Sequence, residues 1–194
     1  NAWGDVQENT FANISALGWT GGQRSIFVRG RDLVGNWGLP VEVIVTVNAE
    51  SAASWPMFGQ NAQHTNANTG STLAPPLKLK WSKTFDDDYI ALRPVTYANG
   101  YLLAPLQGYF SSAVQCLDTL NGDTVWTKEF VPNHSMNPVA YGYGQVYVQA
   151  GYNTNNSNVS CYNLLTGDLV WKSPFDAQWE SYLGPTVAEG RVFI

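Results

Sequence analysis

The sequence predicts an all-β chain: a partial β-propeller of four-stranded blades, preceded by the C-terminal strands of a β-sandwich. Three observations carry that expectation. A phrase ending in tryptophan recurs at a spacing of 45 residues. Short apolar runs alternate with Gly-centred turns along the second half of the chain. Charged residues make up only 13% of the 194 residues, against about 25% in an average globular domain.

The repeat is the strongest signal, because self-similarity at a fixed period decides the fold before any local reading does. Segment 116–126, CLDTLNGDTVW, recurs as segment 161–171, CYNLLTGDLVW. Trp81 stands 45 residues before Trp126, and Trp126 stands 45 before Trp171. Each tryptophan is followed four residues later by a phenylalanine: Phe85, Phe130 and Phe175. A second landmark keeps the same beat. Gly100, Gly144 and Gly190 each lead into an apolar run, at spacings of 44 and 46 residues.

Each unit reads as four short strands. The first blade is expected at about 92–98, 101–106, 112–118 and 124–130. The second is expected at about 137–141, 145–150, 158–163 and 169–174. Gly122 and Gly167 sit in the tight turns before the last strand, where a hairpin needs positive φ. A period near 45 with four strands per unit indicates propeller blades rather than a solenoid.

The phrase L-D-x-x-x-G-x-x-x-W from Leu117 to Trp126 resembles the docking motif of pyrroloquinoline-quinone-type propeller repeats. The resemblance implies that the tryptophan packs flat between adjacent blades. Trp81, Trp126, Trp171, Gly122, Gly167 and Asp118 are therefore expected to be structural blade-docking residues. Segment 55–65, WPMFGQNAQHT, is similar to the lead-in that often precedes a first blade of this type. It implies a structural role for His64. The second repeat has Asn163 where the first has Asp118. The acceptor is kept and the charge is lost, which favours a turn role over metal binding.

Residues 1–48 have another texture. An alternating strand at 25–32, a Gly-rich turn at 33–38 and a second alternating strand at 41–47 follow one another. Segment 28–38, VRGRDLVGNWG, resembles the end of an immunoglobulin-like or fibronectin-III-like module of surface proteins. The expected organisation is a sandwich tail over 1–48, a linker and lead-in over 49–76, and a partial quinoprotein-like propeller over 77–194. The propeller part would hold an outer strand around Trp81, two blades and the start of a third. The chain is expected to be a window on a larger protein.

Net charge is −5, from 10 basic and 15 acidic residues. No Lys/Arg cluster exists to neutralise a phosphate backbone, so nucleic acid is not expected as a partner. No apolar run approaches the roughly 20 residues of a membrane-spanning helix. Four N-x-[S/T] triplets mark Asn13, Asn133, Asn155 and Asn158 as candidate glycan acceptors. Cys116 and Cys161 read as small buried hydrophobes rather than a disulfide. Asp86, Asp87 and Asp88 read as a solvated loop rather than a Ca²⁺ site, since they lack EF-hand spacing. His64 and His134, the only histidines, have no second ligand at metal spacing. No catalytic, cofactor-binding or metal residue is assigned.

These readings lead to a secreted or cell-surface structural and interaction protein, with the propeller as a non-catalytic platform. Its expected partner is a protein or glycan at the cell surface, with self-association through an open blade edge as a further route. Two alternatives stand beside it. One is a fragment of a pyrroloquinoline quinone-dependent dehydrogenase, which would need Ca²⁺ and the quinone on the propeller axis. The other is a cofactor-free assembly scaffold, resembling the propeller lipoproteins that help insert outer-membrane proteins.

Overall fold

The structure is a computed structural model that describes residues 22–47, 54–69, 75–131, 135–151, 157–175 and 184–194. The regular structure among these residues is entirely β. The chain divides into two compact units, Asn1–Ala49 and Glu50–Ile194.

The first unit contributes one antiparallel hairpin, β1 (Gly22–Val28) with β2 (Val41–Val47). The register pairs Ile26 with Val43 and Val28 with Val41, so apolar side chains gather on one face of the pleat. β1 ends at Val28, four residues before the end that the alternation predicts. The reason is the turn that follows, which begins at Asp32. Its carboxylate accepts the amides of Val34 at 3.0 Å and Asn36 at 2.7 Å, and the Asn36 side-chain amide at 3.0 Å. The bonds from Asn36, backbone first, hold the Asp32 carboxyl below its usual pKa. Arg29 stacks over Trp37 at 4.3 Å from the ring centre. This hairpin alone does not show the expected sandwich, and Asn13 lies outside the described residues.

Among the described residues, the second unit holds two five-stranded blades and two strands of a third. Blade 1 is built from β3 (Tyr89–Leu92), β4 (Thr96–Ala98), β5 (Tyr101–Gly108), β6 (Ser112–Asp118) and β7 (Thr124–Phe130). Blade 2 is built from β8 (Ser135–Met136), β9 (Ala140–Gly142), β10 (Gln145–Gly151), β11 (Asn158–Asn163) and β12 (Leu169–Pro174). β13 (Thr186–Ala188) and β14 (Arg191–Phe193) form the third sheet.

In both blades the expected first strand is split in two. β3 and β4 both pair with β5, and β8 and β9 both pair with β10. The break falls at Pro94 and Pro138, which have no N–H to give to the ladder. The inner hairpins turn at Asn99-Gly100, Tyr143-Gly144 and Glu189-Gly190, and both residues of every pair have positive φ. That is the requirement of a type I′ turn, whose twist matches the strands it joins.

Residues 77–85 run without ladder partners. A strand was expected around Trp81, but no strand of its own blade lies among the described residues to complete a sheet.

The core lies between blades 1 and 2. Leu103, Val114, Cys116, Trp126 and Phe130 meet Met136, Val139, Val146, Val148 and Leu164. Trp126 and Phe130 are four apart on β7, so a strand period of two places both on the face toward blade 2.

Candidate functional site

The residues singled out by the repeat converge on the blade joints. Trp126 is 8% exposed and its ring lies against Gly167 of the next blade. A Cβ built on Gly167 would stand 2.9 Å from the ring carbons. The indole N–H donates to the carbonyl of Leu164 at 2.7 Å. One repeat earlier, Trp81 lies against Gly122 in the same way, with an added Cβ 2.9 Å from Cε3. Its indole donates to the carbonyl of Thr119 at 3.0 Å. Both bonds reach 38 residues forward. The joint therefore needs a flat donor on one blade and a side-chain-free turn on the next.

Asp118 shapes the turn that receives Trp81. Its Oδ1 accepts the amide of Leu120 at 2.7 Å. Asn163 does the same for the amides of Leu165 at 2.9 Å and Thr166 at 3.1 Å. Asp118 and Asn163 thus serve one local purpose, an Asx turn, in which the charge is dispensable.

Trp171 differs from its two counterparts. It is 37% exposed, and every residue of β12 is exposed. Its ring meets Tyr147 of its own blade, 6.1 Å away between centres. Trp126 is thus buried at a blade joint and Trp171 is not: no turn of a following blade lies over Trp171 among the described residues.

The lead-in is bound to the blades. Trp55 and Tyr97 exchange two backbone hydrogen bonds, at 2.7 and 3.0 Å. The Pro56 carbonyl accepts the Tyr141 amide at 2.6 Å. Met57 is buried with Ala140, Tyr147, Cys161 and Val187. His64 Nε2 lies 3.0 Å from Thr186 Oγ1, so its role is a contact to β13. His134 lies outside the described residues.

Cys116 and Cys161 are free and buried. Burial pushes their thiols up, to about 12 and about 11 respectively, which suppresses the reactive thiolate. Tyr141 is 4% exposed and belongs to the core, while Tyr143 is 47% exposed and its hydroxyl accepts the Gly190 amide at 3.0 Å.

Asn158 needs correction as a candidate glycan acceptor. It opens β11 at 3% exposure, and its Oδ1 accepts the Ser160 hydroxyl at 3.1 Å. A glycan on that amide has no room in the folded blade. Asn133 and Asn155 lie outside the described residues.

Asp86, Asp88 and Glu129 surround Tyr89, whose hydroxyl is pushed up by burial first and by those carboxylates second. Among the described residues, no group of three His, Cys, Asp or Glu could hold a metal ion.

The sequence reading missed the parts of the joint that carry no side-chain signal. The acceptors are backbone carbonyls of Thr119 and Leu164. Gly142 and Gly184 are a second pair: a Cβ on Gly142 would stand 2.6 Å from Val187, and one on Gly184 would stand 2.6 Å from the Pro138 carbonyl. Only the alignment of Gly142 with Ala98 hints that side chains there must be small.

Comparison with known proteins agrees with this architecture. Residues 111–194 match the family model described as outer membrane protein assembly factor BamB. They carry a PQQ-like repeat. The fold resembles quinohemoprotein alcohol dehydrogenase ADHIIG from Pseudomonas putida HK5, with 22% identity and a TM-score of 0.55 over 73% of this chain and 22% of that one. It also resembles quinohemoprotein alcohol dehydrogenase from Comamonas testosteroni, with 21% identity and a TM-score of 0.50 over 72% and 22%. BamB from Moraxella catarrhalis aligns at 18% identity and a TM-score of 0.43, over 57% and 35%. The chain thus spans about a fifth of the length of either dehydrogenase. No curated protein matches the sequence. The class is an all-β protein with a partial propeller of PQQ-like repeats. No helix among the described residues is long and apolar enough to cross a membrane.

Proposed function

We infer that this chain belongs to a secreted or cell-envelope interaction protein whose propeller is a non-catalytic platform for a protein partner. The observation that carries this reading is the use made of the repeat's polar groups. The indole N–H of Trp81 and Trp126 and the side-chain oxygens of Asp118 and Asn163 all bond to the protein's own backbone. The repeat maintains a stiff arc of blades. The described name of the matching family, an assembly factor of outer-membrane proteins, supports a cofactor-free role of this kind.

The resemblance to two quinohemoprotein dehydrogenases supports the fold, and raises the question of a quinone with Ca²⁺. Among the described residues the repeat's polar groups are taken up within the protein, which supports the platform reading. The Asp118 carboxylate accepts from its own turn.

The test is a titration of the purified chain with pyrroloquinoline quinone and Ca²⁺, read by thermal unfolding, beside cross-linking in intact cells of the source organism. The platform reading expects an unchanged Tm and a discrete cross-linked envelope or surface protein. A saturable rise in Tm with the quinone would overturn it.

A further inference from the structure

The inner strands of a propeller present free backbone edges toward the axis. β4, β9 and β13 are the inner strands here: each is the edge of its sheet, and β9 packs between the other two. Open strand edges recruit extended chain, either from another molecule or from the same one.

Residues 55–64 touch all three inner strands in succession. Trp55 forms a two-bond antiparallel bridge with Tyr97 on β4. Pro56 takes the Tyr141 amide of β9. Met57 fills the apolar space between Ala140 of β9 and Val187 of β13. His64 reaches the Thr186 hydroxyl of β13.

The segment is shaped for this. It folds into a compact knuckle, with the His64 amide bonded to the Asn61 carbonyl at 2.9 Å and the Asn66 amide to the Gly59 carbonyl at 2.9 Å. The Asn61 side chain closes the same loop through Thr65. Gly59 has φ +75, and an added Cβ would stand 2.7 Å from His64. The knuckle holds Met57 and His64 on the side that faces the blades.

We propose that the axial edge of these blades is a strand-accepting surface whose ligand is residues 54–66 of the same chain. The segment binds by edge addition to β4, continues onto β9 and ends on β13, so that it ties three successive blades together from within. It also withholds their inner edges from any other extended peptide.

The test is amide hydrogen exchange on the full chain carrying Met57→Asp, with Gly59→Ala as a second variant that strains the knuckle itself. The reporters are the amides of Tyr97 and Tyr141, which bond to the segment. The references are the amides of Gly122 and Gly167, which bond to Asp118 and Asn163 within their own turns. The expected result is at least a tenfold faster exchange at Tyr97 and Tyr141, with the two glycine amides unchanged. A synthetic peptide of residues 54–69 should then restore protection in the variants and leave the wild type unaffected. Unchanged reporters in both variants would overturn the proposal. So would equal acceleration of reporters and references in both, or a peptide that restores nothing.

Discussion

Trp126 and Gly167 are a matched pair: the indole occupies the space that any side chain on Gly167 would need, 2.9 Å from the ring. Gly167 also sits at φ +70, and Gly144 sits at φ +77 with nothing near its missing Cβ. The two glycines separate two costs. Gly144→Ala pays only for backbone strain, about 1 kcal/mol. Gly167→Ala adds overpacking against the indole, for a total of about 2–4 kcal/mol. Urea unfolding should show that difference in midpoint at an unchanged slope.

The two ends of the tryptophan series should behave differently. Trp126→Ala empties a buried site and removes the bond to Leu164, at a cost of about 3–5 kcal/mol. Trp171 is 37% exposed and lies at the edge of the sheet, so Trp171→Ala should cost about 1 kcal/mol. Equal losses for the two would mean that Trp171 has a covering partner in solution.

Stability should fall in alkali. Burial holds the thiols of Cys116 and Cys161 neutral in the folded chain, at about 12 and about 11, against 9.0 for an exposed thiol. Above pH 9 the unfolded chain releases these protons while the folded chain keeps them. The native state then binds more protons, so stability drops as pH rises from 9 toward 12 and is fully present below 9. Cys116→Ala should flatten the alkaline limb of a plot of Tm against pH. Iodoacetamide at pH 8 should label neither thiol until denaturant is added.

The Asx turn predicts an asymmetry between two substitutions of one residue. Asp118→Asn keeps the acceptor for the Leu120 amide and should be neutral within about 0.5 kcal/mol. Asp118→Ala leaves that amide without its bond and should cost about 1 kcal/mol. Added Ca²⁺ should shift the Tm of neither.

Peptide mapping should find Asn158 unmodified in the folded protein, because the residue is 3% exposed within β11. A glycan there would require the modification to precede folding of blade 2.

The propeller was legible because its joint is written in side chains that recur. Trp126 and Gly167 act across blades, but each repeat carries both halves, so the pair surfaces as a 45-residue beat. The split first strand was less legible, although its cause stood in the sequence. Pro94 and Pro138 occupy equivalent positions, and the repeat signal masked their effect on the ladder. The lead-in is the harder case. Trp55 and Pro56 bind through backbone atoms, which leave no periodic trace, so no pattern revealed which strands they meet. Asn158 shows the limit of a three-residue motif, since the triplet is blind to the burial that the blade imposes.

The lead-in also imposes an order in time. Residues 55–64 leave the ribosome before any strand that they hold. Trp55 must wait for β4, Pro56 for β9, and His64 for Thr186, which lies 122 residues further along. The contact of His64 with Thr186 therefore closes a far longer loop than any hairpin of the blades, and carries the larger loop-closure entropy.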